Sequence, residues 1–408
     1  MDLHRFAVLR DIYKTALLDD VVSFWQRHSV DRECGGFFMY LDRDGSVYGT
    51  DKPVWLQGRA TWLYATLYDR VEPREEWLTL ARHGYDFLIK HCFERREAPG
   101  PGKMYFSVAR DGRPLQMRRY VFSEVFGVLG FAALAKATGE ARVCRQAIDL
   151  FESFVRDIRT PSRIAPKIDP QTRPMKSLSP LMCLLNMADT MLPIADQTST
   201  ANGPGSVAYY EQLIDQTVAE IFRDHVRSDD ECVLETVAPD GQRIDEPIGR
   251  VMSPGHAIEV AWFIMEVAQR RGDAELAERA ARIVDWSFAR GWDAEYGGLL
   301  YFVDVTGRPG PHLEHDMKLW WPHSEALYAT MLAHRLTGDD RYAAMHEQVH
   351  GWTFAHLPDA EFGEWFGYLR RDGAVSSPLK GNMWKGPFHV PRALLYCWKL
   401  AEGQTSRS

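Results

Sequence analysis

Apolar positions recur along the chain in two helical patterns. In "GEARVCRQAIDLFESFVRDI", from Gly139, the residues Val143, Ala147, Leu150, Phe151, Phe154 and Ile158 fall on one face. That 3.6-residue rhythm predicts a helix with one wet side. In "HAIEVAWFIMEVAQ", from His256, the apolar residues run almost all the way round, which predicts a fully buried helix. The two kinds alternate. About twelve helices are predicted, starting near residues 3, 54, 74, 120, 139, 176, 206, 256, 273, 321, 339 and 389.

A second pattern punctuates the first. Aromatic, strand-like stretches ending in a polar turn precede each buried helix, as in "GGFFMYLDRDG" from Gly35, "GKMYFSVARDG" from Gly102 and "GEWFGYLRRDG" from Gly363. The turns fall at Asp44-Gly45, Asp111-Gly112, Asp169-Pro170, Asp240-Gly241, Thr306-Gly307 and Asp372-Gly373, spaced by 67, 58, 71, 66 and 66 residues. The Asp-Gly pairs predict hairpins in which glycine supplies the positive φ. Six units of hairpin, buried helix and wet-sided helix predict an inner ring within an outer ring. The fold class is therefore all-α, an (α/α)6 barrel with short hairpins roofing a pocket at one end. An open α-solenoid is the alternative. A single domain is expected over residues 1–408, with a flexible tail from about 403.

Polar residues recur where each hairpin feeds its buried helix. Asp240 to His256 is 16 positions, and Thr306 to His323 and Asp372 to His389 are 17 each; Arg59 and Glu124 follow their turns by 15 and 13. In a closed barrel these positions ring the mouth of one cavity. At a helix start the positive dipole end disfavours imidazolium, and a general base needs a neutral imidazole. Two such histidines on opposite faces of a substrate carbon, one removing and one returning a proton, would invert a stereocentre. A helix-start histidine is by itself more often structural; the repeat-equivalent placement of His256 and His389 singles those two out. Arg59 is open to a second role as a buried partner for Glu124, and Glu259 and Glu325 stabilise helix starts in any case.

Composition narrows the classes. A net charge of −8 argues against a nucleic-acid partner and gives no basic face for a membrane. No apolar run reaches the roughly 20 residues of a bilayer span, and no signal peptide is expected. Six scattered cysteines without a C-x-x-C pair predict unbridged thiols in a cytoplasmic protein. The 12% aromatic share suits flat pocket walls for a sugar. "HLEHD", from His312, lacks the H-E-x-x-H helix, so no metal is predicted. Neither a G-x-S-x-G elbow nor a P-loop occurs.

"KPVWLQGRATW", "RPMKSLSPLM", "SPGHAIEVAWFI", "KLWWPHSEAL", "GEWFGYLRRDG" and "KGPFHVPRALLYCW" together resemble the N-acyl-D-glucosamine 2-epimerase family, which includes the renin-binding proteins. The likeness runs from about Tyr13 to Ala401. It implies an isomerase on an (α/α)6 barrel that interconverts N-acetylglucosamine and N-acetylmannosamine, a sialic acid precursor. It also implies a homodimer with ATP as an activator that is not consumed. His256 and His389 match the family's acid/base pair. Arg59 and Glu325 match its sugar-binding positions, and Glu124, Glu259, His323, Trp321 and Trp384 join them as candidate substrate contacts. Lys167, Arg173 and Lys176 lie in the loop implicated in nucleotide contact. Pro387 stands where many members carry cysteine. The F-H-V-P-R run separates this chain from the cellobiose 2-epimerases and mannose isomerases on the same barrel. An isomerase or 2-epimerase of a non-acetylated sugar, a glycosidase with paired carboxylates and a non-catalytic binding protein are the alternatives.

Overall fold

The computed structural model describes residues 1–94, 103–118, 120–160, 168–195 and 203–405. Among the described residues, twelve helical rods form two concentric rings. The outer ring begins with α1, in which Leu3–Thr15, Ala16–Val22 and Ser23–His28 run on from one another through a wide π turn. It continues with α3 (Glu75–His91), α5 (Ala141–Arg159), α7 (Val207–Glu220), α9 (Ala274–Gly291) and α11 (Asp340–His356). The inner ring is α2 (Val54–Arg70), α4 (Phe122–Thr138), α6 (Leu178–Met191), α8 (Pro254–Arg271), α10 (Trp320–Thr337) and α12 (His389–Thr405). The last helix extends into the segment expected to be a tail.

The alternation of wet-sided and buried helices follows the sequence pattern. In α2 every residue from Val54 to Leu67 is buried, whereas α5 buries one face. Small residues let the inner helices approach closely. A Cβ on Gly58 would lie 2.3 Å from the Phe126 carbonyl oxygen, and one on Gly130 would lie 2.8 Å from that of Gly58. The ring is closed rather than open. Helix α1 packs on α12, Arg5 bonds Glu347 of α11, and Trp62 of α2 meets Phe388 and Tyr396 of the α12 segment.

The hairpins form a belt around one end. A two-residue strand just ahead of an inner helix pairs with the hairpin of the following unit: Lys52–Pro53 with Ser107–Val108, Lys176–Ser177 with Thr236–Val237, Val251–Met252 with Val303–Asp304, and Lys318–Leu319 with Tyr368–Leu369. The last unit joins the first through Leu41 and Lys380–Gly381. Gly45, Gly112, Gly241, Gly307 and Gly373 take φ between +79° and +90°, as the turn signals predicted.

Buried ion triads rivet this belt. Asp31 accepts from Lys52 and Arg110, Asp293 from Lys318 and Arg371, and Asp359 from Arg43 and pairs with Lys380. The three lysines are fully buried. Each triad ties the end of an outer helix to an inner-helix start and to a neighbouring hairpin; Arg43 carries the last one across the seam. All six cysteines are free, and no described helix is long and apolar enough to cross a membrane.

Candidate active site

Because each inner helix starts at the belt, its first turns face a common cavity of about 740 Å³. That lies within the usual range for small-ligand sites. Its walls are Trp55, Phe126, Tyr301, Trp321, Trp384 and Phe388, with Arg59, Glu235, His256, Glu259, His389 and Arg392 among them.

His256 sits in the first turn of α8, where Ser253 caps the helix and Pro254 opens it. The intervening glycine is dictated by packing: a Cβ on Gly255 would stand 2.6 Å from the Trp321 ring. The imidazole therefore rests against that indole, with ring centroids 4.8 Å apart. Its Nδ1–H donates to both oxygens of Glu235, at 3.0 and 3.1 Å, which leaves Nε2 for the cavity. Burial pushes this imidazole toward neutrality, but the Glu235 carboxylate, with Glu259 and Glu325 behind it, wins and raises its pKa. The downward shift expected from the helix dipole is thus corrected for His256: its pKa is raised, because a bonded carboxylate outweighs a partial charge.

His389 opens α12 and also packs against Trp321, at 5.9 Å. Its Nδ1–H donates to Glu325 at 2.5 Å. Glu325 is shared: it accepts from Arg392 at 2.7 Å and from the Trp262 indole at 2.8 Å. Arg392 also bonds Glu259 at 2.5 Å. Burial, then the guanidiniums of Arg59 and Arg392, hold the His389 pKa well below the ordinary value against the pull of Glu259. This imidazole is held toward its neutral form by burial and by the guanidiniums. The two imidazoles, held alike through Nδ1, are therefore shifted in opposite directions. The ligand atoms of Glu259, Glu325 and His389 come within 4.8 Å of one another, but the Arg392 guanidinium already holds both carboxylates.

Arg59 stands in α2 with its guanidinium over Phe126, Trp55 and Phe388, at 4.0, 4.8 and 4.9 Å. It is not the partner of Glu124. Glu124 is buried outside the cavity lining and accepts from the Met104 backbone N–H at 2.9 Å, so its predicted substrate contact is corrected to a structural one. His323 is corrected likewise. It is fully buried, donates from Nδ1 to the Leu319 carbonyl and accepts from the Leu299 N–H through Nε2. Burial depresses its pKa to about 3. Both ring nitrogens are spent on backbone, so it holds the belt to α10. Glu259, Trp321 and Trp384 line the cavity as expected, whereas Glu325 stands one shell back, behind His389 and Arg392.

Of the nucleotide candidates, Lys167 lies outside the described residues. Arg173 is exposed, 3.7 Å from Glu246. Lys176 is bound to Glu220 and the buried Asp224; its charge is committed within the fold. Glu235 and Arg392 were missed by the sequence reading. Arg392 lies one helical turn after His389, an i, i+3 spacing that was legible. Glu235 carried no signal, because only the pairing of Thr236 with Ser177 aims it at His256.

Fold and site together define an acid–base enzyme of the (α/α)6 class, working on a small polar ligand between aromatic walls. The N-acylglucosamine 2-epimerase family profile matches residues 36–390. The N-acylglucosamine 2-epimerase of Bos taurus is 40% identical over 397 residues, covering 96% of this chain and 90% of its own. The cellobiose 2-epimerase of Bacteroides fragilis is 25% identical over 401 residues, covering 94% and 97%. Among solved structures, the cellobiose 2-epimerase of Bacillus thermoamylovorans superposes with a TM-score of 0.79 over 96% of this chain and 99% of its own, at 18% identity. The chain belongs to the N-acylglucosamine 2-epimerase family.

Proposed function

We propose that this enzyme interconverts N-acetyl-D-glucosamine and N-acetyl-D-mannosamine by moving a proton at C2 of the open-chain sugar. The observation that carries the reading is the pair of cavity-facing imidazoles, each held through Nδ1 by its own carboxylate and shifted in opposite directions. Its 40% identity to the bovine N-acylglucosamine 2-epimerase supplies the substrate class.

A C2 proton becomes acidic only when C1 is an aldehyde. His389, neutral at rest, removes it from one epimer, and the resulting anion spreads onto the C1 oxygen. His256, whose neighbouring carboxylates favour the protonated form, returns a proton to the other face. For the opposite epimer the roles exchange. Arg59 faces the developing oxyanion, and a donor of that kind contributes about 2.7–4 kcal/mol to such a step. Trp321, against both imidazoles, supplies a flat wall for the sugar chain. The acylamino group at C2 blocks the ketose outcome of an isomerase. ATP is not consumed in this chemistry and enters only as an allosteric activator. A cytoplasmic homodimer completes the reading.

The test is proton NMR in D₂O with N-acetylglucosamine, with and without ATP. Expected is N-acetylmannosamine labelled at C2, with His389→Ala slower by at least about 10²-fold. A ketose product, or full activity in His389→Ala, overturns it.

A further inference from the structure

The charged groups around His256 and Arg392 are matched. His256 bonds Glu235, and Arg392 bonds Glu259 and Glu325. Arg59 is different. It is 6% exposed, yet its nitrogens have no carboxylate within 4 Å among the described residues. Nη1 reaches only the Trp384 carbonyl, at 3.5 Å, and Nε has no partner. Three aromatic rings clamp the group in place.

A guanidinium carries five N–H donors, and a buried cation left without an anion is costly. The extra negative charge of the Arg392 cluster offsets it only across a gap. A neutral aldehyde sugar does not fill this place; the anion formed at C1 during proton transfer does. An open-chain acid whose C1 is a planar carboxylate would present that charge permanently, and the fork of a guanidinium fits a carboxylate through two parallel bonds.

We infer that the active site is also a binding site for open-chain 2-acylamino-aldonates, the C1-oxidised forms of the amino sugar, held by their carboxylate on Arg59. The inference rests on the epimerase reading. Its consequence is that oxidised amino sugars are competitive inhibitors.

Calorimetry at pH 7 with two probes tests it: 2-acetamido-2-deoxy-D-gluconate, and the neutral alditol 2-acetamido-2-deoxy-D-glucitol. The full-length protein is expected to bind the aldonate at least about tenfold more tightly than the alditol. Arg59→Met is expected to abolish that difference, and Arg59→Lys to retain part of it. Arg59→Gln replaces the methionine variant if the latter does not fold. Equal binding of the two probes by the unaltered protein overturns the inference and leaves the epimerase reading standing. A preference that survives loss of the charge overturns the assignment to Arg59. Failure of both probes to bind overturns the amino-sugar reading, and the inference with it.

Discussion

The carboxylate that most directly sets the protonation of the site is Glu235, and Glu235→Gln isolates its effect. The side chain keeps its size and can still accept from His256 Nδ1–H, so the ring stays aimed at the cavity. What is lost is charge. A hydrogen bond to an ionised group contributes roughly 1.5–3 kcal/mol, and a neutral one roughly 0.5–1.5. The imidazolium therefore loses about 1–2 kcal/mol of support, a factor of roughly 5–30. His256 has a raised pKa, so its proton is present below that pKa and lost as pH rises through it. Without Glu235 that loss begins at lower pH. The alkaline limb of kcat/KM should move down, and kcat at pH 8 should fall about tenfold. Both directions should shift together. One needs the proton on His256 and the other needs it on His389, but both forms carry the same number of protons. The assay is kcat/KM against pH for each epimer, with Glu235→Ala as a variant that also frees the ring. An unmoved alkaline limb with turnover within about twofold of the unaltered enzyme refutes the reasoning.

Glu124→Gln should leave KM and kcat within about threefold, because its oxygen accepts from the Met104 N–H and never reaches the cavity; a large rise in KM in steady-state assays would restore its substrate contact. Lys318→Met removes one of the two cations on Asp293, Arg371 remaining, and should cost about 1.5–3 kcal/mol of stability, read by urea denaturation. His323 and His346 are fully buried, and burial holds their pKa values at about 3. The unfolded chain therefore binds protons there between about pH 6.5 and 3 that the folded chain does not, and stability should fall as pH drops through that window. Each contributes up to about 1.4 kcal/mol per pH unit, measurable as the urea midpoint at pH 7, 6 and 5.

The two kinds of apolar periodicity specified the helices because burial is encoded locally. A residue that must meet other inner helices on every side is apolar on every side, as in α8. The hairpin turns were legible because only glycine takes positive φ cheaply. Counting from those turns placed His256, His389 and Arg59 at one mouth, which follows from repetition alone. The same counting misjudged His323 and Glu124, since equivalent positions in a repeat share a backbone site but not a side-chain direction. His323 turns back onto the Leu299 and Leu319 backbone, and Glu124 turns toward Met104.

Ring closure, the partner of each charge and the opposite shifts of the two imidazoles belong to the tertiary structure. Lys52, Lys318 and Lys380 look like surface lysines in the sequence; only the assembled belt shows them buried against Asp31, Asp293 and Asp359. Glu235 lies 21 residues from His256 and reaches it because strands from two units pair. Electrostatic interaction depends on distance through the folded molecule and on the solvent removed between the groups, and neither quantity is written along the chain. The sequence determined the helices, the turns and the placement of His256, His389 and Arg59 at one mouth; the fold decided which carboxylate holds each imidazole and left Arg59 without one.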